Sequence, residues 1–156
     1  VVFIENTRNT VENLKELNLS YNGIDEGMIA EINNLLFSRM RLTSLNLGYN
    51  HIGVAGATAI ANSLHMASLT SLDLERNQIG DVGARAIANS EHMARLTSLN
   101  LYDNQIGDVG ARAIANSPNI AGLTSLNLSF NQIEDAVKEE IKAKLNEINP
   151  KCLVVI

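Results

Sequence analysis

The sequence has no tryptophan, one cysteine and two prolines, and aromatic residues make up only 4% of its 156 positions. The single cysteine, Cys152, excludes an internal disulfide framework and favours a reducing compartment. The sequence also has no apolar run of about 18 residues, the minimum for a membrane span, so we expect no membrane partner. A chain of this length can bury enough apolar surface to fold as one domain without a disulfide or metal. These shortages indicate a domain held together by aliphatic side chains.

Basic residues are also in short supply. The 12 lysines and arginines stand against 17 acidic residues, which gives a formal net charge of −5. Proteins that bind nucleic acid through its phosphates need clustered basic side chains, and here these residues are spread along the chain. Nucleic acid is therefore not an expected partner.

Leucine and asparagine are abundant, with 20 of each, and they recur periodically. The string LTSL begins at Leu42, Leu69, Leu96 and Leu123, at a constant spacing of 27 residues. The same pattern starts earlier at Leu14, and a partial copy closes the chain. We therefore predict a single repeat domain over 1–156. Its units are 14–41, 42–68, 69–95, 96–122 and 123–149, with a terminal strand at 150–156 and an N-terminal cap or truncated repeat at 1–13.

Each unit predicts one short strand followed by one helix. In the third unit, Leu72 and Leu74 alternate with polar residues, as in a strand buried on one face. After it, Asp81 is the predicted helix N-cap, and Val82 and Ile87 are predicted to face inward, together with Ala86. Such a unit cannot bury its own apolar face and must stack on its neighbours. Because helices are wider than the strand spacing, we predict an α/β solenoid with six parallel strands on the concave face and helices on the convex face.

The pattern L-x-x-L-x-L-x-x-N-x-I, repeated from Leu14 onwards, resembles leucine-rich repeats of the ribonuclease-inhibitor-like subclass. The resemblance implies a horseshoe whose concave sheet binds another protein, with no catalytic chemistry and no cofactor. The similarity of the units to one another also resembles bacterial or effector-type repeat proteins that act inside cells.

The asparagine that follows each strand has a structural explanation. A buried amide can bond the backbone groups left unpaired where the chain turns outward. We expect such a ladder from Asn22, Asn50, Asn77, Asn104 and Asn131.

Variation between the units indicates where a partner binds. The third and fourth units agree at 20 of 27 positions, and three of the seven differences lie on or beside the strand. Polar strand positions point away from the buried leucines, into the concave face. Aromatic and arginine side chains there are typical anchors for a protein partner, although they could instead shield the sheet edges. The candidate partner-binding residues are Tyr21, Tyr49, Asp73, Glu75, Arg76, Tyr102, Asp103 and Phe130. Acidic groups outnumber basic ones on this face, which favours a partner with a basic patch.

Other candidate sites have simpler explanations. His65 and His92 occupy equivalent positions but have no ligand-spaced carboxylate or cysteine beside them, so we expect no metal. Cys152 has no histidine in its repeat to activate it. Asp81 with Arg85 is a predicted surface ion pair on a helix, as is the equivalent pair one unit later.

Two functional alternatives to a simple binding module remain open. The repeats could be part of a larger enzyme or enzyme regulator, of the GTPase-activating or ubiquitin-ligase type. They could also form a self-assembly module, with an end-to-end homodimer through the terminal strand.

Overall fold

The computed structural model describes residues 13–156, so the predicted cap at 1–13 lies outside the described residues apart from Asn13. Six strands form one parallel sheet in the order of the sequence. The strands are β1 (Glu16–Asn18), β2 (Ser44–Asn46), β3 (Ser71–Asp73), β4 (Ser98–Asn100), β5 (Ser125–Asn127) and β6 (Leu153–Val155). The predicted α/β solenoid with six parallel strands is confirmed.

A helix follows each of the first five strands. These helices are α1 (Glu26–Leu35), α2 (Gly53–Ala61), α3 (Gly80–Asn89), α4 (Asp108–Ala115) and α5 (Asp135–Ile148). Each of α1 to α4 is followed by one short 3-10 turn before the next strand: Phe37–Arg39, Leu64–Met66, Glu91–Met93 and Pro118–Ile120. Consecutive helices pack side by side. The helices therefore form one layer and the sheet forms the other.

The strands pair in register, so that equivalent residues of successive units lie opposite one another. Leu45 pairs with Leu72, and Leu72 pairs with Leu99. These leucines are about 1% exposed and belong to one continuous core with the helix residues Ile60 and Ile87. The face of the sheet opposite the helices carries the remaining strand side chains, which are half-buried or exposed. We call it the helix-free face.

Threonines join successive units at the start of each strand. The Thr70 hydroxyl donates a hydrogen bond to the Thr43 carbonyl oxygen at 3.0 Å, and the Thr70 backbone N–H donates to the same oxygen at 2.8 Å. Thr97 and Thr124 repeat this arrangement, with hydroxyl distances of 3.0 Å in both cases. The junctions that join the starts of β2, β3, β4 and β5 are thus chemically alike.

Two predicted details of the third helix, its N-cap and the inward position of Val82, were wrong, whereas Ile87 is buried and Ala86 packs against the core as predicted. Helix α3 begins at Gly80, one residue before Asp81, and the left-handed backbone of Gly80 (φ 61°) is one that glycine adopts readily. The Asp81 carboxylate instead accepts hydrogen bonds from Gly107 N–H at 2.7 Å and Gly110 N–H at 2.9 Å in the next unit. Val82, predicted to face inward, is 54% exposed, while Gly83 and Ala84 face the core.

The predicted ion pairs within helices were also wrong. Asp81 is engaged by the next unit, as described, and the Arg112 guanidinium pairs with Glu140 of α5, with a nitrogen–oxygen distance of 3.0 Å. The Asp108 carboxylate accepts from the Glu134 N–H at 2.9 Å. Because the helices are closely packed, these side chains reach the neighbouring unit instead of a residue one turn away.

Candidate functional site

One position in each unit carries an exposed or half-buried side chain on a left-handed backbone. It directly precedes the ladder asparagine and lies at the end of the strand where the chain turns towards the helix. The residues are Tyr21 (φ 59°), Tyr49 (φ 56°), Arg76 (φ 53°), Asp103 (φ 50°) and Phe130 (φ 58°). Residues with a Cβ rarely adopt this conformation, so the surrounding structure must impose it.

The ladder asparagines supply that constraint. The Asn77 side chain is fully buried, and its Nδ2 donates to the carbonyl oxygens of Leu47, one unit earlier, and Leu74, at 2.9 and 3.1 Å. Its Oδ1 accepts from the Ile52 N–H at 3.2 Å. Asn104 donates to the Leu74 and Tyr102 carbonyl oxygens at 2.8 and 3.1 Å, and its Oδ1 accepts from the Asn77 N–H at 3.0 Å. These two asparagines therefore each fix the turn of their own unit and that of the unit before.

The ladder differs at its two ends. Asn22 is exposed, and its Nδ2 donates to the Ser20 carbonyl oxygen at 2.8 Å. Asn131 is half-buried but bonds both Leu101 and Leu128, at 2.9 and 2.8 Å. The three central members, Asn50, Asn77 and Asn104, are buried.

Aromatic rings stack across the helix-free face at this same end of the strands. The rings of Tyr21 and Tyr49 are parallel to within 16°, with centroids 4.2 Å apart. Tyr102 and Phe130 form a tilted pair with centroids 4.8 Å apart. The outermost rings are the most exposed, at 70% for Tyr21 and 76% for Phe130.

Arg76 lies between these two ring pairs. Its guanidinium carbon is 5.1 Å from the Tyr49 ring centroid and 5.9 Å from that of Tyr102, within the range of cation–π attraction. Its Nε is 3.0 Å from a carboxylate oxygen of Asp103. The side chains thus form a continuous row across five units, which we call the Tyr–Arg row: Tyr21, Tyr49, Arg76, Tyr102, Asp103 and Phe130.

The two remaining candidate residues are Asp73, the last residue of β3, and Glu75, two residues after it. Asn100 donates from Nδ2 to Asp73 at 3.2 Å and to the Glu75 carboxylate at 3.4 Å. The Glu75 carboxylate, aided by the Tyr21 hydroxyl, raises the pKa of Tyr49 above its ordinary value through its interaction with the Tyr49 hydroxyl. The structure therefore brings all eight predicted residues together on one face. Asn100, which orients the two carboxylates, was not among them.

His65, His92 and Cys152 are not part of the Tyr–Arg row. Within residues 13–156, no group of three or more His, Cys, Asp or Glu side chains is arranged to hold a metal ion. Cys152 is half-buried beside β6, and burial raises the pKa of its thiol. The helices of this part of the chain include none with the length and hydropathy needed to cross a membrane.

Comparison with known families agrees with this architecture. A family model described as leucine rich repeat matches residues 40–106 and 67–133, and a second, described in the same words, matches residues 12–30. A search of curated proteins found no match to the chain. Because the first model alone spans 40–133, more than half of the 156 residues, the chain belongs to the leucine-rich repeat family, whose repeats generally serve as protein–protein interaction modules.

Proposed function

We propose that this chain is a non-catalytic recognition module that binds another protein through the helix-free face of its sheet. The observation that carries the proposal is the Tyr–Arg row, a stack of aromatic and guanidinium groups held in place across five units. The family's repeats are typically non-catalytic, in keeping with this function.

The row has the properties of a binding hot spot. Tyrosine and arginine dominate the binding energy of many protein interfaces. Their side chains normally lose conformational freedom on binding, but here stacking and the Arg76–Asp103 ion pair already hold them. Preorganisation of this kind raises affinity without adding contact area. The left-handed backbone at Tyr49 and Arg76 further supports a functional role, because a glycine would adopt that conformation at lower cost.

The charge of the face favours a partner with a basic patch. Glu16, Asp73, Glu75 and Asp103 provide four carboxylates, against the single guanidinium of Arg76, which is already paired with Asp103. A complementary basic surface would be steered towards this face and would speed association.

We also propose the finer assignments made from the sequence. The unit boundaries 14–41, 42–68, 69–95, 96–122 and 123–149, with 150–156 as a terminal strand, are supported by the recurrence of the strand and helix in each unit. The ribonuclease-inhibitor-like subclass is supported by the full α-helix in every unit, from eight residues in α4 to 14 in α5.

The proposal is tested by replacing the centre of the row. The variant Tyr49→Ala, Arg76→Ala, Tyr102→Ala should keep its circular dichroism spectrum but lose the partners that the unmodified protein retains in quantitative affinity capture. The matched control is Val82→Ala, Arg85→Ala, Val109→Ala, which removes two exposed apolar side chains and one arginine from the helical face. Once a partner is identified, calorimetric titration with each variant gives the loss of affinity.

Equal capture by the two triple variants would overturn the proposal. Loss of folded structure in the Tyr49→Ala, Arg76→Ala, Tyr102→Ala variant alone would instead favour the alternative in which the aromatic rings shield the sheet.

End-to-end pairing through β6 stays a separate prediction. Leu153 and Val155 are 66% and 46% exposed there, and sedimentation velocity measures whether dimers form.

A further inference from the structure

A second candidate site lies at the opposite end of the strands from the Tyr–Arg row. A concavity of about 810 Å³ opens where β1, β2 and β3 begin, between the return segments of the first two units. Its lining includes the basic residues Lys15, Arg39 and Arg41, together with Leu64 and His65. The sequence separates these residues by up to 50 positions, and the stacking of the units brings them together.

The described lining of the concavity is basic, although the protein as a whole is acidic. Of the residues described as lining it, three carry a full positive charge, His65 adds an imidazole, and none is acidic. The ion pairs found within residues 13–156 involve Arg76, Arg112 and three lysines of α5, and none uses Lys15, Arg39 or Arg41. Three cations thus line one concavity, and none of them forms an ion pair with a carboxylate from the described part of the chain.

The backbone beneath these cations is held in place. The Lys15 carbonyl oxygen accepts hydrogen bonds from the N–H groups of Thr43 and Ser44, at 2.7 and 3.0 Å. Met40, between the two arginines, is buried, and its N–H donates to the Phe37 carbonyl oxygen at 3.1 Å. The charges are therefore presented from a packed framework.

The size and lining of the concavity indicate the kind of ligand. Its volume is several times that of a phosphate ion and lies within the range of sites for larger ligands. Leu64, at its rim, is 66% exposed and offers an apolar contact. None of the described lining residues is Phe, Tyr or Trp, so the site lacks the large aromatic platforms on which nucleotide bases commonly stack.

We propose that this basic concavity binds an acidic peptide segment of another protein, with carboxylates on Lys15, Arg39 and Arg41 and an aliphatic side chain on Leu64. The site is independent of the helix-free face, because it uses other residues at the other end of the strands. One molecule could then hold a basic surface on one side and an acidic segment on the other.

The test uses the 156-residue chain and a fluorescein-labelled peptide of alternating glutamate and leucine, with fluorescence polarisation as the readout. We expect binding that weakens as sodium chloride is raised, because salt screens the charges. The double variant Arg39→Gln, Arg41→Gln should bind about tenfold more weakly. The matched control, Arg85→Gln, Arg95→Gln, removes the same charge from other exposed positions and should bind like the unmodified protein. Arg95 directly precedes its LTSL string, as Arg41 does, two units further along.

The proposal is overturned if the two double variants bind the peptide equally, or if an alternating lysine–leucine peptide binds as tightly as the acidic one. It is also overturned if the acidic peptide does not bind, whereas inorganic phosphate or single-stranded RNA does bind and loses affinity in the Arg39→Gln, Arg41→Gln variant. Circular dichroism of both double variants establishes that all comparisons are made on folded protein. Failure here leaves the Tyr–Arg row proposal unaffected, since none of these substitutions touches it.

Discussion

Asp81 of the third unit caps a helix in the fourth unit, with its Oδ1 2.9 Å from the backbone nitrogen of Gly110. Helix α4 is preceded by Gly107, which has no side chain to cap it, so the carboxylate satisfies N–H groups that would otherwise remain unpaired. A negative charge at this end of a helix is also favoured by the helix dipole. This contact joins two neighbouring units through a helix end.

The Asp81→Ala variant should lower the free energy of unfolding by about 1 kcal/mol, the usual cost of losing a helix cap. Asp81→Asn should retain most of the stability, because its amide oxygen can accept the same bonds. Urea denaturation monitored by circular dichroism measures both. Val82→Ala is the control, and a loss as large as that of Asp81→Ala would contradict the proposed cap.

Gly110 should not tolerate a side chain. An added Cβ would lie 2.6 Å from Asp81 Oδ1 and 2.9 Å from the Asp81 Cα, which is backbone and cannot easily move away. Gly110→Ala should therefore cost about 2 kcal/mol of stability through overpacking. Gly122→Ala is the matched control, because the nearest atom to its added Cβ is the Leu96 carbonyl oxygen at 3.7 Å. Equal denaturation midpoints for the two variants would show that α3 and α4 are not as closely packed as described.

The central asparagines should matter far more than the first. Asn77→Ala leaves the buried Ile52 N–H without its side-chain acceptor and removes one of the two asparagine donors to the Leu47 carbonyl oxygen, the other being Asn50. We expect a loss of about 3 kcal/mol, from one unsatisfied buried N–H together with the lost donor bonds to the Leu47 and Leu74 carbonyl oxygens. Asn22→Ala, at an exposed position, should cost less than about 0.5 kcal/mol.

Chemical denaturation of the two asparagine variants tests this difference. A replacement that keeps the shape but not the donors, Asn77→Asp, should also destabilise the protein, because a carboxylate cannot donate to the Leu47 and Leu74 carbonyl oxygens. Full stability of Asn77→Asp would mean that these donor bonds contribute nothing.

The Cys152 thiol should be slow to react. Burial raises its pKa, so at a given pH below that value it holds less of the reactive thiolate than an exposed cysteine does. The rate of alkylation by iodoacetamide should rise with pH along a curve shifted to higher pH than that of the urea-unfolded chain. If the alkylation rate of the folded protein rises at the same pH as that of the unfolded chain, or at a lower pH, the result would contradict the burial of this side chain.

The sequence was sufficient to predict the parts of the structure that follow from periodicity. The recurrence of Leu72 and its counterparts every 27 or 28 residues, with Val154 at the last position, fixes both the number of strands and their register, because each of these side chains must reach the same core. The same periodicity predicts that Tyr49, Arg76 and Tyr102 share one face of the sheet, because they occupy equivalent or adjacent positions of successive units.

The contacts between units could not be predicted in the same way. Whether Asp81 bonds its own helix or the next depends on how far the helices are offset from one another, which the sequence of one unit does not specify. The order of rings and guanidinium in the Tyr–Arg row depends likewise on side-chain rotamers. The sequence does not predict the basic concavity, because Lys15, Arg39 and His65 are far apart in sequence and belong to segments that vary in length.

The matching threonine junctions have an evolutionary consequence. Since Thr70, Thr97 and Thr124 each meet the preceding unit through the same bonds, a copy of residues 69–95 inserted after itself would find compatible neighbours on both sides. Unequal recombination within the coding sequence would thus produce longer, foldable proteins in one step. Each added copy would supply one more surface position free to diverge.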